Sequence, residues 1–134
     1  MRPSPPIWEI PANLESLVED GDGMWEGDRW DPIILTVMSG TSYGGRDIPL
    51  AWQIEFDPYD DRLEAANHRL EATGIEPDGD GWAELIIQKF AERNPKLSRE
   101  LHSDSESSTC VLWVESEAAC KELTELVWSL LHQD

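Results

Sequence analysis

The feature that most constrains the fold of this chain is a stretch of strictly alternating residues at positions 48–56. Leu50, Trp52, Ile54 and Phe56 fall on one side, and Ala51, Gln53 and Glu55 fall on the other. A period of two is typical of a β-strand with one buried face. A shorter apolar run at 33–38 precedes it, and the residues between them contain a Gly-Gly pair that favours a turn. We therefore predict a β-hairpin, which Asp57-Pro58 ends because proline cannot donate to a ladder.

The periodicity becomes helical after residue 60. Leu63, Ala66 and Leu70 lie on one stripe, and Gly74 follows where a helix-ending glycine is expected. A second helix is predicted over residues 81–93, with Asp80 as its N-cap. The last helix is predicted from Ser116, its cap, to about residue 132, and its apolar residues form one continuous stripe.

The remaining elements complete an α+β pattern. A weak strand at 97–103 and a clear one at 109–114 flank the turn sequence DSESS, which predicts a second hairpin. The order ββ-αα-ββ-α indicates a small antiparallel sheet packed against about three helices. Residues 1–31 are predicted as an extended, loop-rich segment that packs on a single domain formed by residues 32–134. Within that segment, residues 13–18 favour one or two helical turns and residues 19–31 favour a loop.

The charge of the chain limits its partners. It has 28 acidic and 10 basic residues, a formal net charge of −18. Such a field repels nucleic acid and anionic membranes and attracts cationic proteins. The alternative is a surface adapted for solubility or high salt. No stretch approaches the ~20 apolar residues of a membrane span, and the proline-rich start does not resemble a signal peptide, so we expect a cytoplasmic protein.

The sequence favours neither a metal site nor a catalytic one. Asp-Gly-Asp-Gly occurs at 20–23 and at 78–81, but an EF-hand frame places Arg29 and Ile87 where the closing glutamate is needed. The three histidines are far apart, and Cys110 and Cys120 lie in apolar runs, which predicts buried, reduced thiols. No nucleophile or phosphate-loop motif is present, so we expect no enzyme and no cofactor.

A partner surface is predicted where acidic residues surround tryptophans in a Gly-rich loop. An aromatic anchor among carboxylates suits a basic partner. The alternative is that the loop folds back and buries both indoles. The predicted contact residues are Asp20, Asp22, Trp25, Glu26, Asp28, Trp30, Asp31, Asp60, Asp61, Asp78 and Asp80.

Roughly residues 62–134 resemble a known family. GIEPDGDGW at 74–82 is similar to the Gly-Tyr-Glu-Gly-Asn-Gly-Tyr-Asp-Trp motif of the immunity protein 51 family (Imm51). The matching positions are Gly74, Glu76, Gly79 and Trp82, while Pro77, Asp78, Asp80 and Gly81 differ from the motif. Asp104 and Glu106 match the family's Asp-Pro-Glu turn before a strand. Gly74, Gly79 and Trp82 are predicted to determine the fold rather than to contact a partner.

The resemblance implies a small acidic antitoxin, encoded beside a bacterial polymorphic or contact-dependent toxin. Such a protein is not an enzyme, and it neutralises the C-terminal domain of its cognate toxin by binding to it. The charge suggests a basic nuclease as the toxin. Two alternatives remain open: a general acidic module that mimics nucleic acid or chaperones basic proteins, and an enzyme acting on a cationic substrate.

Overall fold

The computed structural model describes residues 4–132 and shows an α+β fold. The strands are β1 (Met24–Gly27), β2 (Ile34–Tyr43), β3 (Arg46–Phe56), β4 (His102–Ser103) and β5 (Cys110–Val114). The helices are α1 (Leu14–Asp20), α2 (Glu64–Glu71), α3 (Gly79–Arg93) and α4 (Glu117–Leu131). All strand pairs are antiparallel, in the order β1-β2-β3-β5-β4. The predicted class and sheet type are confirmed, whereas the predicted element order lacked α1 and β1.

The hairpin formed by β2 and β3 is longer than predicted. Its strands extend to Tyr43 and Arg46, so the turn contains only Gly44 and Gly45. These glycines have φ values of +61° and +79°. A two-residue turn with both φ values positive matches the twist of the flanking strands, and glycine adopts it without steric cost.

The core lies on one face of the sheet. Val37, Trp52 and Val114 form a buried row across β2, β3 and β5, and Leu35, Ile54 and Leu112 form the next. Helix α3 packs against β5, α4 packs against β3 and β5, and α1 packs against β1 and β2. The opposite face is partly accessible, and Ile34 is 36% exposed there. The alternation in β3 therefore predicted which face is covered.

Two segments differ from their predicted conformation. Within residues 19–31, predicted as a loop, Met24–Gly27 form a strand that pairs with β2. Pairing with an apolar neighbour outweighs the local preference of an Asp- and Gly-rich sequence, because strand stability depends on context. Within the weak strand predicted at 97–103, Leu97–Glu100 form a 3₁₀ turn and only His102–Ser103 join the sheet.

The helix boundaries correct two further predictions. Asp78, not Asp80, caps α3, since its Oδ1 accepts a hydrogen bond from the Gly81 amide at 2.8 Å. The helix predicted at 60–73 begins as a 3₁₀ turn over Asp61–Leu63 and continues as α2. The predicted cap Ser116 is confirmed by its bond from the Ala119 amide at 3.3 Å.

The first part of the chain belongs to the same sheet and core. Leu14 and Val18, from the helical turns predicted at 13–18, are buried, as is Trp30. Residues 4–12 run without regular structure, and Trp8 donates from Nε1 to Glu117 on α4 at 3.0 Å. Residues 1–3 and 133–134, the ends of the predicted segments 1–31 and 32–134, lie outside the described residues. No helix among those described is long and apolar enough to cross a membrane.

Candidate functional site

Several acidic loops meet at one end of the sheet. Gly27 of β1 pairs with Leu35, and Phe56 of β3 pairs with Cys110, so the chain leaves β1 and β3 and enters β5 at the same end. The start of α3 joins them there, because the Gly79 amide donates to Ser107 O at 3.0 Å. The carboxylates at this position, termed the acidic end, are Asp28, Asp31, Asp57, Asp60, Asp61, Asp78, Asp80, Asp104 and Glu106.

Arg62 neutralises part of the acidic end. Its Nη1 donates to Asp31 Oδ2 at 2.5 Å and its Nη2 to Asp60 Oδ2 at 2.8 Å, while its backbone amide donates to Asp60 Oδ1 at 2.9 Å. The side-chain hydrogen bond from Arg62, followed by the backbone one, lowers the pKa of Asp60 from 3.8 to about 2. The two carboxylates raise the pKa of Arg62 in turn. Sequence patterns gave no sign of this clamp, since Asp31 comes from a different loop than Asp60 and Arg62.

The rest of the acidic end is accessible. Asp28, Asp61 and Asp80 are exposed and form no ion pair with any described residue. Asp78 is half-buried because its side chain caps α3. The structure thus places six of the predicted contact residues at the same end of the sheet: Asp28, Asp31, Asp60, Asp61, Asp78 and Asp80.

The other predicted contact residues lie elsewhere. Asp20 ends α1 and Asp22 lies in the turn before β1, so both precede that strand while the acidic end follows it. Both are exposed, as is Glu26 on β1 itself. Trp30 is only 2% exposed and packs edge-on against Trp128 with ring centroids 5.7 Å apart. The prediction that Trp30 is exposed for contact is therefore wrong: the loop folds back and buries this indole, as the alternative held.

Trp25 is half-buried and lines an open groove. Its side chain lies on the same face of the sheet as Val37, at the edge of the core. The groove encloses about 670 Å³, and Glu9 and Asp28 contribute carboxylates to it while Glu26 borders it from β1. Among its described lining residues Arg29 is the one cation, and it pairs with Glu9 at 3.2 Å. Its lining is Glu9, Pro11, Trp25, Glu26, Gly27, Asp28, Arg29, Trp30 and Leu35. Glu9 and Arg29 were not predicted, because nothing in the sequence places residue 9 near β1.

The motif at 74–82 packs against the turn between β4 and β5. A Cβ at Gly79 would overlap the carbonyl oxygens of Glu106 and Thr109, and one at Gly81 would overlap that of Glu76. Trp82 is buried and donates from Nε1 to Asn67 Oδ1 at 2.8 Å. Gly74 has φ +92° just after the turn that ends α2, where a side chain would be strained.

The motif's acidic residues take part mainly through their backbone. The Asp104 amide donates to Val111 O at 3.0 Å, and Glu106 and Thr109 exchange two backbone hydrogen bonds across the turn. Glu76 O accepts from the Asp78 amide at 2.9 Å. These backbone contacts are consistent with the structural role that was expected for the motif.

Neither of the two thiols is suited to nucleophilic chemistry. Cys110 and Cys120 are unpaired and fully buried, as predicted, and burial raises the pKa of each to about 12. At neutral pH both are therefore protonated and poorly nucleophilic. In residues 4–132, no three His, Cys, Asp or Glu side chains lie close enough together to hold a metal ion.

One further charged cluster connects strands. Glu115 accepts hydrogen bonds from Arg46 Nη1 at 2.7 Å and Nη2 at 3.1 Å, and it lies 2.8 Å from His102 Nε2. The bond from Arg46 is the main reason that the pKa of Glu115 is lowered, and the bond with His102 adds to it. This cluster connects the tip of the long hairpin, where Arg46 follows the turn, to the end of β5.

Comparison with known proteins identifies one family. A family model described as immunity protein 51 matches residues 50–134, from the second half of the β2–β3 hairpin onward. Neither the curated proteins nor the solved structures gave a match.

Proposed function

The chain belongs to the immunity protein 51 family, and we propose that it neutralises a cognate bacterial toxin by binding its C-terminal toxic domain. The family match over residues 50–134 carries this proposal. We place the activity in the cytoplasm of the cell that the protein protects, and we propose that it breaks or forms no covalent bond.

We propose further that the acidic end contacts the toxin. Exposed carboxylates on several neighbouring loops present negative charge over an area rather than at a point. A basic groove that accepts phosphates in a nuclease would be complementary to this arrangement, and occupying it would block substrate entry. A basic nuclease is therefore the class of toxin that we favour.

A matched pair of variants tests the location. Asp28→Asn, Asp61→Asn and Asp80→Asn together remove three exposed charges from the acidic end. Glu19→Gln, Asp20→Asn and Asp22→Asn remove three exposed charges from the other end of β1. We expect the first triple variant to weaken binding to the toxic domain at least tenfold, mainly through slower association, and the second to change it about threefold or less.

Salt-dependent measurements distinguish a contact at the acidic end from a general effect of net charge. Association rates measured from 50 to 500 mM salt should fall steeply for the wild type and less steeply for the first variant. Equal losses in both variants would show that only net charge matters and would contradict a contact at the acidic end. A wild-type protein that neither binds the toxic domain nor protects cells producing it would contradict the proposed function.

A further inference from the structure

Strand β1 has one unpaired edge. It pairs with β2 on one side, and within residues 4–132 no strand pairs with its other side. The Ser39 amide donates to Gly23 O at 2.8 Å, so the backbone groups of Gly23, Trp25 and Gly27 point toward β2. Those of Met24 and Glu26 alternate with them and point away from the sheet. The Met24 amide is used in the preceding turn, where it donates to Gly21 O at 3.3 Å.

The free groups are therefore the carbonyls of Met24 and Glu26 and the amide of Glu26. No described backbone group bonds to them. Exposed edges are commonly protected by lysine, proline or a bulge. The four residues of β1, MWEG, contain no lysine or proline, and β1 and β2 pair in continuous register without a bulge. The opposite edge strand, β4, has only two residues.

The side chains beside this edge favour a positively charged partner. Glu26 lies on the outer face of β1, and on the other face the groove holds the Trp25 indole, Glu9 and Asp28. Of the groove's lining residues within 4–132, Arg29 is the one cation, and it pairs with Glu9. An added strand would direct alternate side chains toward Glu26 and toward the groove, where a cationic side chain can lie against an indole among carboxylates.

We propose that an extended segment of the toxin, bearing basic side chains, adds to β1 as a sixth strand of the sheet. This inference rests on the proposed function and gives it a specific contact. The segment runs antiparallel to β1, and its residue opposite Glu26 exchanges two backbone hydrogen bonds with Glu26 and is itself basic. Its neighbours along the segment reach the groove beside Trp25. The edge runs directly into Asp28, so it is continuous with the acidic end.

A second copy of this chain is a poor occupant of the same edge. Two copies would bring two net charges of −18 together and would place Glu26 of one copy beside Glu26 or Met24 of the other. Like charges opposite each other in a ladder are destabilising. A basic strand from another protein removes this repulsion.

Two substitutions at one position separate the backbone from the side chain. Glu26→Gln removes the charge and keeps the amide hydrogen, whereas Glu26→Pro removes both. Proline is tolerated on an edge strand where its missing hydrogen faced outward, so the thermal melt of Glu26→Pro should stay near that of Glu26→Gln. We expect Glu26→Pro to bind the purified toxic domain of the toxin encoded beside this gene about tenfold more weakly than Glu26→Gln, the effect of one hydrogen bond.

Hydrogen exchange of the unmodified protein gives an answer that does not depend on any variant folding. The Glu26 amide should exchange rapidly in the free protein and at least tenfold more slowly in the complex. The Trp25 amide, bonded within the sheet, should be slow in both. A complex that forms without slowing exchange at Glu26 overturns the added strand and leaves the proposed function standing. Absence of any complex overturns both.

Discussion

The start of α3 and the edge of β1 are opposite kinds of surface within one small domain. At the start of α3, Gly79 and Gly81 lie against backbone carbonyls so closely that no side chain would fit. At β1, the backbone of Glu26 bonds to nothing among the described residues, and the neighbouring groove is open. The first lies inside the region matched by the family model and the second outside it.

This difference separates fold from partner contact. Interactions between backbone segments tolerate almost no substitution, because neither side can move away. An open edge and exposed carboxylates can change with little effect on stability, since they make few contacts inside the protein. We therefore expect Gly79, Gly81 and Trp82 to determine whether the chain folds, and the edge of β1 with the exposed carboxylates to determine what it binds.

The largest effect is expected at Gly79, where one added methyl group tests the close contact between backbone segments at the start of α3. Gly79→Ala should lower the free energy of unfolding by more than about 3 kcal/mol, because the new carbon meets backbone on two sides. Gly44→Ala is the matched control: no atom lies within 4 Å of its Cβ position, so only its positive φ costs energy, about 1 kcal/mol. Urea denaturation of both variants measures the difference, and similar losses would contradict the close approach.

The next effect compares two tryptophans whose indole N–H groups differ in hydrogen bonding. Trp82→Phe should destabilise by about 2 kcal/mol, because it leaves Asn67 Oδ1 without its donor and removes buried volume. Trp128→Phe should cost less, since the Trp128 Nε1 is buried without a hydrogen-bond partner in the described structure. Thermal and urea unfolding of the pair measure this. A larger loss for Trp128→Phe would mean that its edge-on contact with Trp30 and its stacking on His132 contribute more than the Trp82 hydrogen bond.

A smaller effect, of opposite sign, is expected beside the open edge. Thr36 lies on β2 directly opposite Glu26, and its hydroxyl is buried without a described partner. Thr36→Val keeps the shape and removes the unsatisfied group, so it should raise the free energy of unfolding by about 0.5–1 kcal/mol. Thr124→Val serves as the control: the Thr124 hydroxyl donates to Cys120 O at 2.7 Å, so the change removes a hydrogen bond and should not stabilise.

The smallest effect is a change in the pH dependence of stability between pH 4 and pH 2. The pKa of Asp60 is about 2 in the folded protein and ordinarily 3.8, so its ionised form stabilises the fold above pH 4. That contribution is lost as the pH falls from 4 to 2. The melting temperature of Asp60→Asn should therefore fall less than that of the wild type between pH 4 and pH 2. The variant should be slightly less stable than the wild type at pH 7, because this exposed pair is screened by solvent, and the two proteins should converge near pH 2. If the melting temperatures of the two proteins change equally from pH 2 to 5, Arg62 does not stabilise the ionised form of Asp60 in solution.

Local patterns predicted the parts of the fold that obey a single period. The alternation in β3 and the stripe of α4 depend on which residues face the core, and burial followed them. Strand β1 could not be predicted, because four residues of mixed character become a strand only through pairing with β2. The prediction of a strand at 97–103 was mostly wrong for a related reason, because only two of these residues pair with β5.

The candidate site was predictable in composition but not in arrangement. Acid density identified the carboxylates of the acidic end, since charge is a property of the sequence. Their grouping depends on which loops meet at one end of the sheet, and the clamp at Arg62 joins residues 31 positions apart. Trp25 and Trp30 are five positions apart in the same acidic stretch, yet Trp25 is half-buried at the edge of the core and Trp30 is buried within it. Only three-dimensional packing distinguishes them.

The inert state of both native cysteines has a practical consequence. A fluorophore or spin label that reacts with thiolates should leave Cys110 and Cys120 untouched in the folded protein. A single new thiol, introduced as Ser42→Cys near the exposed hairpin tip, would then carry the only label. That site is remote from the acidic end, so the label can report tumbling and complex formation without obstructing the surfaces under test.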